Sequence, residues 1–195
     1  IDILEVARNY GANCIRLRPL ELSNDYASKF DVWKHHLEEI EKEHGVSYDY
    51  FFDLDCTNPL RPIGDIDNMI SSFLNLNEGY DGLITVSDSR TNPYFNMLEI
   101  DEQSSLNVSK KLPDNIVRRQ DSPMVLNHVA SMYLFKSEYI RKSPSLFAGS
   151  VLGYKIPYER SFDIDSEVDK ELVEYFYKNL NTDFGEILIW KKIFY

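Results

Sequence analysis

Apolar residues recur every three or four positions in five parts of the chain, which is the spacing of one face of an α-helix. The pattern predicts helices at residues 2–10, from a cap among residues 23–25 to residues 44–45, from a cap at Asp65, from a cap at Ser137, and at residues 166–180. Gly11 and Gly45 are natural ends for the first two helices, because glycine readily adopts the conformation that terminates a helix.

Other stretches are continuously apolar or alternate between apolar and polar residues, which is typical of strands. They lie at residues 13–17, 48–54, 83–87, 94–100, 129–135 and 151–156, with 48–54 and 83–87 predicted as buried and 94–100 as an edge strand. Strands that alternate with helices indicate an α/β fold with a mostly parallel sheet and helices on both faces. We expect one domain over residues 1–180, a polar and irregular excursion at residues 101–123, and an apolar tail at residues 181–195.

The first candidate for chemistry is Asp163-Ile164-Asp165, just before the last predicted helix. Residues two apart in an extended segment point to the same side, so both carboxylates can reach one hard cation, while Ile164 points into the core. Ser166 and Asp169 have the spacing of a capping box, which puts the carboxylates at a strand-to-helix junction. The alternative is that both aspartates are ordinary turn and capping residues.

Polar residues also follow other predicted strands. Asp55 comes directly after the strand at 48–54, and Ser87 ends the strand at 83–87. Ligands of open α/β sheets bind beyond the carboxyl ends of the strands, where these residues and the Asp163/Asp165 pair would meet. This convergence favours a metal site over a simple turn.

Composition excludes several classes of protein. The net charge of -11, with no basic run, argues against a general nucleic-acid binder and against a protein that binds acidic membranes. The sequence has no apolar run long enough to span a membrane, so we expect a soluble, cytoplasmic protein. Cys14 and Cys56 form no C-x-x-C pair and are expected to be reduced thiols. His128, near the predicted strand ends, is either a site residue or a core histidine.

Six short motifs occur in a fixed order along the chain. They are residues 17–27 (LRPLELSNDYA), 55–61 (DCTNPLR), 92–96 (NPYFN), 118–121 (RRQD), 130–133 (ASMY) and 160–165 (RSFDID). Each motif is weak alone, but in this order they resemble the acylneuraminate cytidylyltransferases, the CMP-sialic acid synthetases, including relatives that act on legionaminic or pseudaminic acid. The resemblance runs to about residue 180 and omits the tail.

The resemblance implies a Rossmann-like nucleotidyltransferase fold and a homodimer, with the excursion at 101–123 contributing to the dimer and to the sugar pocket. It implies that CTP reacts with a nine-carbon 2-keto acid sugar to give a CMP-sugar and pyrophosphate, with Mg²⁺ as cofactor. Asp163 and Asp165 would be the catalytic carboxylates and, with Asp55, the metal ligands. A metal there would stabilise the charge that builds up on phosphoryl oxygens.

The same resemblance implies two groups of binding residues. The nucleotide would be contacted by Asp55, Thr57, Asn58 and Arg61. The sugar would be contacted by Ser87, Arg119, Gln120, His128, Ser131, Tyr133 and Arg160. Arg61 is equally suited to a structural ion pair. Asn58 and Val129 replace residues common in the family, Ser and Asn, which leaves the identity of the sugar open.

The start of the chain departs from the family pattern, which opens with a strand and a basic, glycine-containing loop for the triphosphate. This chain begins at the helix that should follow, so we expect an N-terminally truncated chain that is a fragment or is inactive alone. Two alternatives stay open: another sugar nucleotidyltransferase, such as the 3-deoxy-manno-octulosonate type, and a non-catalytic domain retained for dimerisation or sugar binding. Residues 118–121 favour the CMP-sialic acid synthetases over the octulosonate type.

Overall fold

The computed structural model describes residues 3–13, 16–76, 79–112, 116, 118–180, 182 and 184, with Arg119 described through its backbone. The helices are α1 (Ile3–Asn9), α2 (Lys29–His44), α3 (Ile63–Leu74), α4 (Ser137–Lys142) and α5 (Glu167–Asn179). The strands are β1 (Tyr50–Leu54), β2 (Gly82–Asp88), β3 (Leu98–Ile100), β4 (Leu106–Val108), β5 (Leu126–Lys136) and β6 (Val151–Lys155). Short 3₁₀ turns lie at Leu20–Leu22, Arg119–Asp121 and Tyr158–Arg160.

The main sheet has the spatial order β1-β5-β2-β6. β2 and β6 pair in parallel, and β5 runs antiparallel to both β1 and β2, so β1, β2 and β6 share one direction. Parallel neighbours need a long crossover, usually a helix, whereas the described chain between β2 and β5 contains the β3–β4 hairpin. The predicted α/β class is confirmed, with a mixed pairing pattern that follows from this connection.

The two faces of the sheet are covered by different helices. One face packs with α2 and α4 in a cluster made of Phe30, Trp33, Leu37, Ile84, Val86, Tyr133, Phe135 and Ile140. The other face packs with α3 in a cluster made of Met69, Phe73, Leu83, Met132 and Leu134. Neighbouring residues of β2 and β5 thus point to opposite faces, and the sheet is the middle of three layers.

A bulge in β5 shapes the end of the sheet. Residues 129–132 of β5 lie opposite the single residue Thr85 of β2. The hydroxyl of Thr85, which is fully buried, accepts a hydrogen bond from the backbone N–H of Met132 at 2.9 Å and so satisfies part of the interrupted ladder. Bulges redirect a strand, and within this one the carbonyl of Ser131 accepts from the backbone N–H of Asp55 at 2.9 Å.

The long helix α2 begins later than predicted. Its cap is Ser28, whose Oγ accepts from the backbone N–H of Asp31 at 3.0 Å, whereas residues 23–25 belong to a turn that precedes it. Ser28 caps the helix because an acidic residue, Asp31, follows it by three positions. Ser28 Oγ also donates to Asp31 Oδ2 at 2.7 Å. Gly45, at φ 65°, ends the helix as expected.

Two other predicted caps lie inside the first turn of their helices. α3 starts directly after Pro62 and α4 directly after Lys136, so Asp65 and Ser137 are not caps. The carboxylate of Asp65 is instead used in an ion pair with Arg160. The capping box of α5 is confirmed. Ser166 Oγ accepts from the backbone N–H of Asp169 at 3.3 Å and donates to its carboxylate at 2.6 Å.

Three predicted strands are shorter than expected or differently placed. Residues 13, 16 and 17 carry no strand, and residues 14 and 15 lie outside the described residues. Of residues 94–100 only β3 is a strand, because Asn92 organises a turn in which its Oδ1 accepts from the backbone N–H of Tyr94 at 2.9 Å. β1, predicted as a buried central strand, lies at an edge of the described sheet, where β5 is its neighbour.

The excursion at 101–123 is more regular than its polar sequence suggests. β4 pairs antiparallel with β3, and a 3₁₀ turn covers Arg119–Asp121. Residues 113–115 and 117 lie outside the described residues. Of the predicted tail at 181–195 the structure describes residues 182 and 184, and Phe184 packs in a cluster with Leu60 and Val173. The rest of the tail lies outside the described residues.

Candidate active site

The carboxyl end of β1 carries two aspartates, Asp53 and Asp55, that share one cation. Lys29, the first residue of α2, has its Nζ 3.0 Å from Asp53 Oδ2 and hydrogen-bonded to Asp55 Oδ2. The same Nζ lies 4.5 Å from the ring centroid of Tyr133, where a cation–π attraction adds to the ion pairs. Burial lowers the pKa of Lys29, but the hydrogen bond to Asp55 and the nearby negative charge of Asp53 outweigh it and raise the pKa, so the ammonium is charged.

The second oxygen of Asp55 is also engaged. Asp55 Oδ1 accepts from Thr57 Oγ1 at 3.2 Å and from the Thr57 backbone N–H at 3.4 Å. Burial raises the pKa of Asp55, but the hydrogen bond and charge of Lys29 more than offset this and hold the pKa below its usual value. Asp55 is therefore ionised and held on both sides.

Asp163 and Asp165 lie between β6 and α5, at the junction that the sequence predicts. The side chain of Ile164 packs into the cluster around Val173, as the predicted alternation requires. The backbone N–H of Ile164 donates to the carbonyl of Thr57 at 2.9 Å. This bond ties the Asp163/Asp165 segment to the loop that follows β1.

Asp163 is half-buried, and its Oδ1 has no hydrogen-bond partner among the described residues. Burial raises the pKa of Asp163 to about 6, and the negative charges of Asp55 and Asp165 add to the rise. A buried carboxylate oxygen without a donor is costly, and a nearby cation removes that cost. Asp163 and Asp165 therefore fit a hard ion that prefers oxygen ligands, such as Mg²⁺.

The predicted three-carboxylate set is not assembled in the described part of the chain. No three His, Cys, Asp or Glu side chains there form a group that could hold a metal ion. Mg²⁺ usually keeps several waters and takes one or two carboxylates together with substrate phosphates. The pair Asp163 and Asp165 is thus a sufficient protein contribution for this ion, without Asp55.

Asn58, predicted to contact the nucleotide, has a different position from the one expected. Its side chain is fully buried, and its Nδ2 donates to the carbonyls of Arg160 at 3.1 Å and Phe162 at 3.0 Å. Phe162 directly precedes Asp163 in the chain, and Arg160 lies three residues before it. The buried amide therefore holds the segment that carries Asp163 and Asp165, and it is not exposed toward a ligand.

Arg61, the other predicted nucleotide contact in this loop, is also used internally. Its Nη1 donates to the carbonyls of Ser131 at 2.9 Å, Asp55 at 3.2 Å and Asn58 at 3.3 Å. Burial lowers the pKa of Arg61, although the charges of Asp55 and Asp53 partly compensate. The guanidinium thus joins the end of β1, the following loop and the β5 bulge. Its observed contacts are structural and run to carbonyls, not to the ion pair considered from sequence, and its contact with the nucleotide stays a prediction.

Three residues predicted on the sugar side, His128, Ser131 and Tyr133, come from β5 and border the same corner. Tyr133 is buried beneath Lys29, and burial raises the pKa of its hydroxyl to about 12. Ser131 is buried, and its Oγ accepts from Arg61 at 3.3 Å. His128 is exposed at its surface and lies edge-on to Tyr133 at 5.4 Å, and partial desolvation of its ring, then the charge of Lys29, lower its pKa.

The other predicted sugar contacts are dispersed. Ser87 is fully buried in β2, and within the described chain its Oγ has no hydrogen-bond partner. Arg160 forms an ion pair with Asp65 of α3, which occupies its charge. Gln120 is exposed in a 3₁₀ turn, and the side chain of Arg119 lies outside what the structure describes.

The chain is similar in sequence to several known proteins. A scan against protein-family models finds no match. Over 180 residues the chain is 32% identical to the post-translational flagellin modification protein B of Campylobacter coli, covering 92% of this chain and 74% of that protein. Over 174 residues it is 34% identical to the CMP-N,N'-diacetyllegionaminic acid synthase of Campylobacter jejuni, covering 89% of this chain and 72% of that protein. The chain belongs to the acylneuraminate cytidylyltransferase family.

The fold of this acylneuraminate cytidylyltransferase is also similar to that of a solved structure. The chain is similar to CMP:2-keto-3-deoxy-manno-octonic acid synthetase complexed with CTP, with a TM-score of 0.55 at 12% identity, over 89% of this chain and 76% of that one. At this identity the likeness concerns the fold, and it confirms the predicted nucleotidyltransferase fold. The described helices include none that is long and apolar enough to cross a membrane.

Two residues of this acylneuraminate cytidylyltransferase site were missed by the sequence analysis, Lys29 and Asp53. The first turn of a helix favours acidic residues because of the helix dipole, so a lysine at the first position of α2 signals a carboxylate nearby. Asp53 and Asp55 have the same one-residue spacing as Asp163 and Asp165. That repeated spacing was the available signal for a second acidic pair.

Proposed function

We propose that this chain transfers CMP from CTP to a nine-carbon 2-keto acid sugar of the sialic acid type, with release of pyrophosphate. The observation that carries the proposal is the half-buried Asp163, whose Oδ1 lacks a partner among the described residues, next to Asp165 at the end of the sheet. The similarity to a legionaminic acid synthase supports this class of sugar. We also propose a cytoplasmic location, because CTP is the nucleotide substrate.

Asp163 and Asp165 are the residues that would hold Mg²⁺. When bound, the ion would stabilise the negative charge that develops on the phosphoryl oxygens as the sugar hydroxyl attacks the α-phosphorus of CTP. The raised pKa of Asp163 supports this assignment, because its causes are burial and like charges that a cation would counter.

The surrounding residues keep these carboxylates in place. Asn58 fixes the two carbonyls before Asp163, and the carbonyl of Thr57 binds the N–H of Ile164. Phosphoryl transfer depends mainly on positioning and on electrostatic stabilisation, so this rigidity would contribute directly to rate. The Lys29 ammonium adds a positive charge beside the site that a triphosphate must approach.

The direct test is an assay of pyrophosphate release with CTP and Mg²⁺ by the purified complete protein, including any segment that precedes residue 1. The sugars would be N-acetylneuraminic, legionaminic, pseudaminic and 3-deoxy-manno-octulosonic acid, with a control that omits the sugar. We expect release with at least one nine-carbon acid and little with the eight-carbon acid. Preference for the eight-carbon acid would favour the octulosonate type of enzyme, and no release with any sugar would contradict the proposal.

We further propose a homodimer formed through the β3–β4 hairpin. The apolar residues of one hairpin face are exposed: Leu98 by 52%, Ile100 by 69%, Leu106 by 66% and Val108 by 42%. A two-stranded hairpin with a solvated apolar face is marginal in water, and a second copy that covers this face would stabilise it. Glu99, which lies between Leu98 and Ile100 in β3, points to the opposite face of the hairpin.

Light scattering would test the dimer. We expect the wild type to be dimeric and a Leu98→Ser/Ile100→Ser variant to be monomeric, because two serines remove much of the apolar surface. Glu99→Ser, on the other face of the same strand, is the matched control and should stay dimeric. A monomeric wild type, or a double variant that remains fully dimeric, would contradict this arrangement.

A further inference from the structure

Lys29 is a positive charge in an unfavourable position of its helix. It is the first residue of α2, where the N-terminal end of the helix dipole repels cations. Its ammonium is nevertheless fixed by three neighbours, with Asp53 Oδ2 at 3.0 Å, Asp55 Oδ2 in a hydrogen bond and the Tyr133 ring centroid at 4.5 Å. These three partners offset the repulsion between the helix dipole and the ammonium. They shield the ammonium from water only in part.

This ammonium occupies the place that a metal ion would take at the end of β1. A divalent ion bound by Asp55 would need one of its carboxylate oxygens at about 2 Å. Oδ2 is already bonded to Lys29 and Oδ1 to Thr57. A second cation on the same carboxylate would meet the full repulsion of the ammonium, which is strong at such short distances.

Asp163 differs from Asp55 in the partners of its carboxylate oxygens. Asp163 Oδ1 lacks any donor within the described chain, whereas Asp55 is saturated. We propose that Lys29 is a resident cation that replaces a metal ion at Asp53 and Asp55, so that the chain binds one divalent ion, at Asp163 and Asp165. This inference rests on the proposed function only for the catalytic use of that ion. Asp55 then becomes a positioning residue instead of the metal ligand expected from sequence.

Titration with Mn²⁺, followed by electron paramagnetic resonance of the free ion, would test this directly in the complete protein. We expect about one tightly bound ion in the wild type and about two in Lys29→Met, because the substitution leaves Asp53 and Asp55 open to a metal. Lys29→Arg, which keeps the charge, should bind as the wild type does. Lys142→Met, which removes an exposed ion pair with Glu138, is the matched control and should change nothing.

Thermal unfolding of the same variants gives a second readout. Lys29→Met should melt lower than the wild type without metal and should gain more from added Mn²⁺, since ligands stabilise the state that binds them. If Lys29→Met does not fold, Asp55→Asn serves in its place and should still bind about one ion, whereas Asp163→Asn should lose it. The proposal is overturned if Lys29→Met binds no additional ion, or if Asp55→Asn loses Mn²⁺ as completely as Asp163→Asn. Neither result depends on turnover, so the pyrophosphate assay judges the proposed function separately.

Discussion

Two Asp-x-Asp pairs with the same spacing meet at one end of the sheet, and they differ in what surrounds them. Asp53 and Asp55 share the Lys29 ammonium, and both oxygens of Asp55 are bonded. Asp163, next to Asp165, has a buried oxygen without a partner in the described chain and a pKa raised to about 6. The first pair shares a cation that the protein itself supplies, and we propose that the second pair takes a cation from outside.

The difference shows what a spacing pattern can and cannot specify. A one-residue spacing in an extended chain puts two carboxylates on one side, and Asp53 and Asp55 indeed share the Lys29 ammonium. Whether the pair binds a metal depends on the neighbours that the fold supplies. For Asp55 that neighbour is Lys29, 26 residues away in sequence, and for Asp163 no donor of this kind is present among the described residues.

The largest effect should come from removing the open pair. We expect Asp163→Asn to lower kcat by about a thousandfold, because a lost metal ligand removes several kcal/mol of transition-state stabilisation. Asp55→Asn should lower kcat only about tenfold, since it disturbs positioning and not the metal. Steady-state pyrophosphate release measures both variants, and equal losses would break the distinction between the two pairs.

The next effect concerns the amide that holds the open pair. We expect Asn58→Ala to reduce the free energy of unfolding by about 2–3 kcal/mol, because two partly buried carbonyls lose their donor. Asn179→Ala is the matched control, since this exposed amide makes a single bond at 2.7 Å within its own helix, and it should cost far less. Urea unfolding would measure both, and similar small losses would show that Asn58 does not anchor Asp163.

The smallest effect is a pH dependence that belongs to Asp163 alone. Because its pKa is raised from 3.8 to about 6 in the folded chain, its contribution to stability is fully present below pH 4 and is lost as the pH rises through 6. Without metal, the wild type should therefore lose stability relative to Asp163→Asn across this window. Urea unfolding at several pH values in a chelating buffer would detect it. Parallel curves for the two proteins would contradict the raised pKa, and added Mn²⁺ should reverse the loss at pH 7.

Much of the fold was predictable because local patterns agree with it. β2 and the capping box of α5 lie where the apolar run and the Ser166–Asp169 spacing predict them. The start of α2 was missed because several residues before it can cap a helix, and the choice of Ser28 depends on Asp31. The antiparallel course of β5 was missed because the sequence does not indicate that a hairpin replaces a crossover helix.

The site was predicted in part for the same physical reasons. The one-residue spacing of Asp163 and Asp165 is visible in the sequence itself. The two residues lie between β6 and α5, at the strand-to-helix junction that the sequence predicts. The internal roles of Asn58 and Arg61 depend on carbonyls of Arg160 and Ser131, which are 102 and 70 residues away and become neighbours only through the fold. Contacts of this kind leave no periodic pattern in the sequence.

An anomalous difference map from crystals soaked with Mn²⁺ and CTP would distinguish the two aspartate pairs most directly. We expect one protein-bound peak within about 2.0–2.3 Å of carboxylate oxygens of Asp163 and Asp165, with the Lys29 ammonium still between Asp53 and Asp55. A peak bonded to Asp55, with the Lys29 side chain displaced, would contradict this expectation.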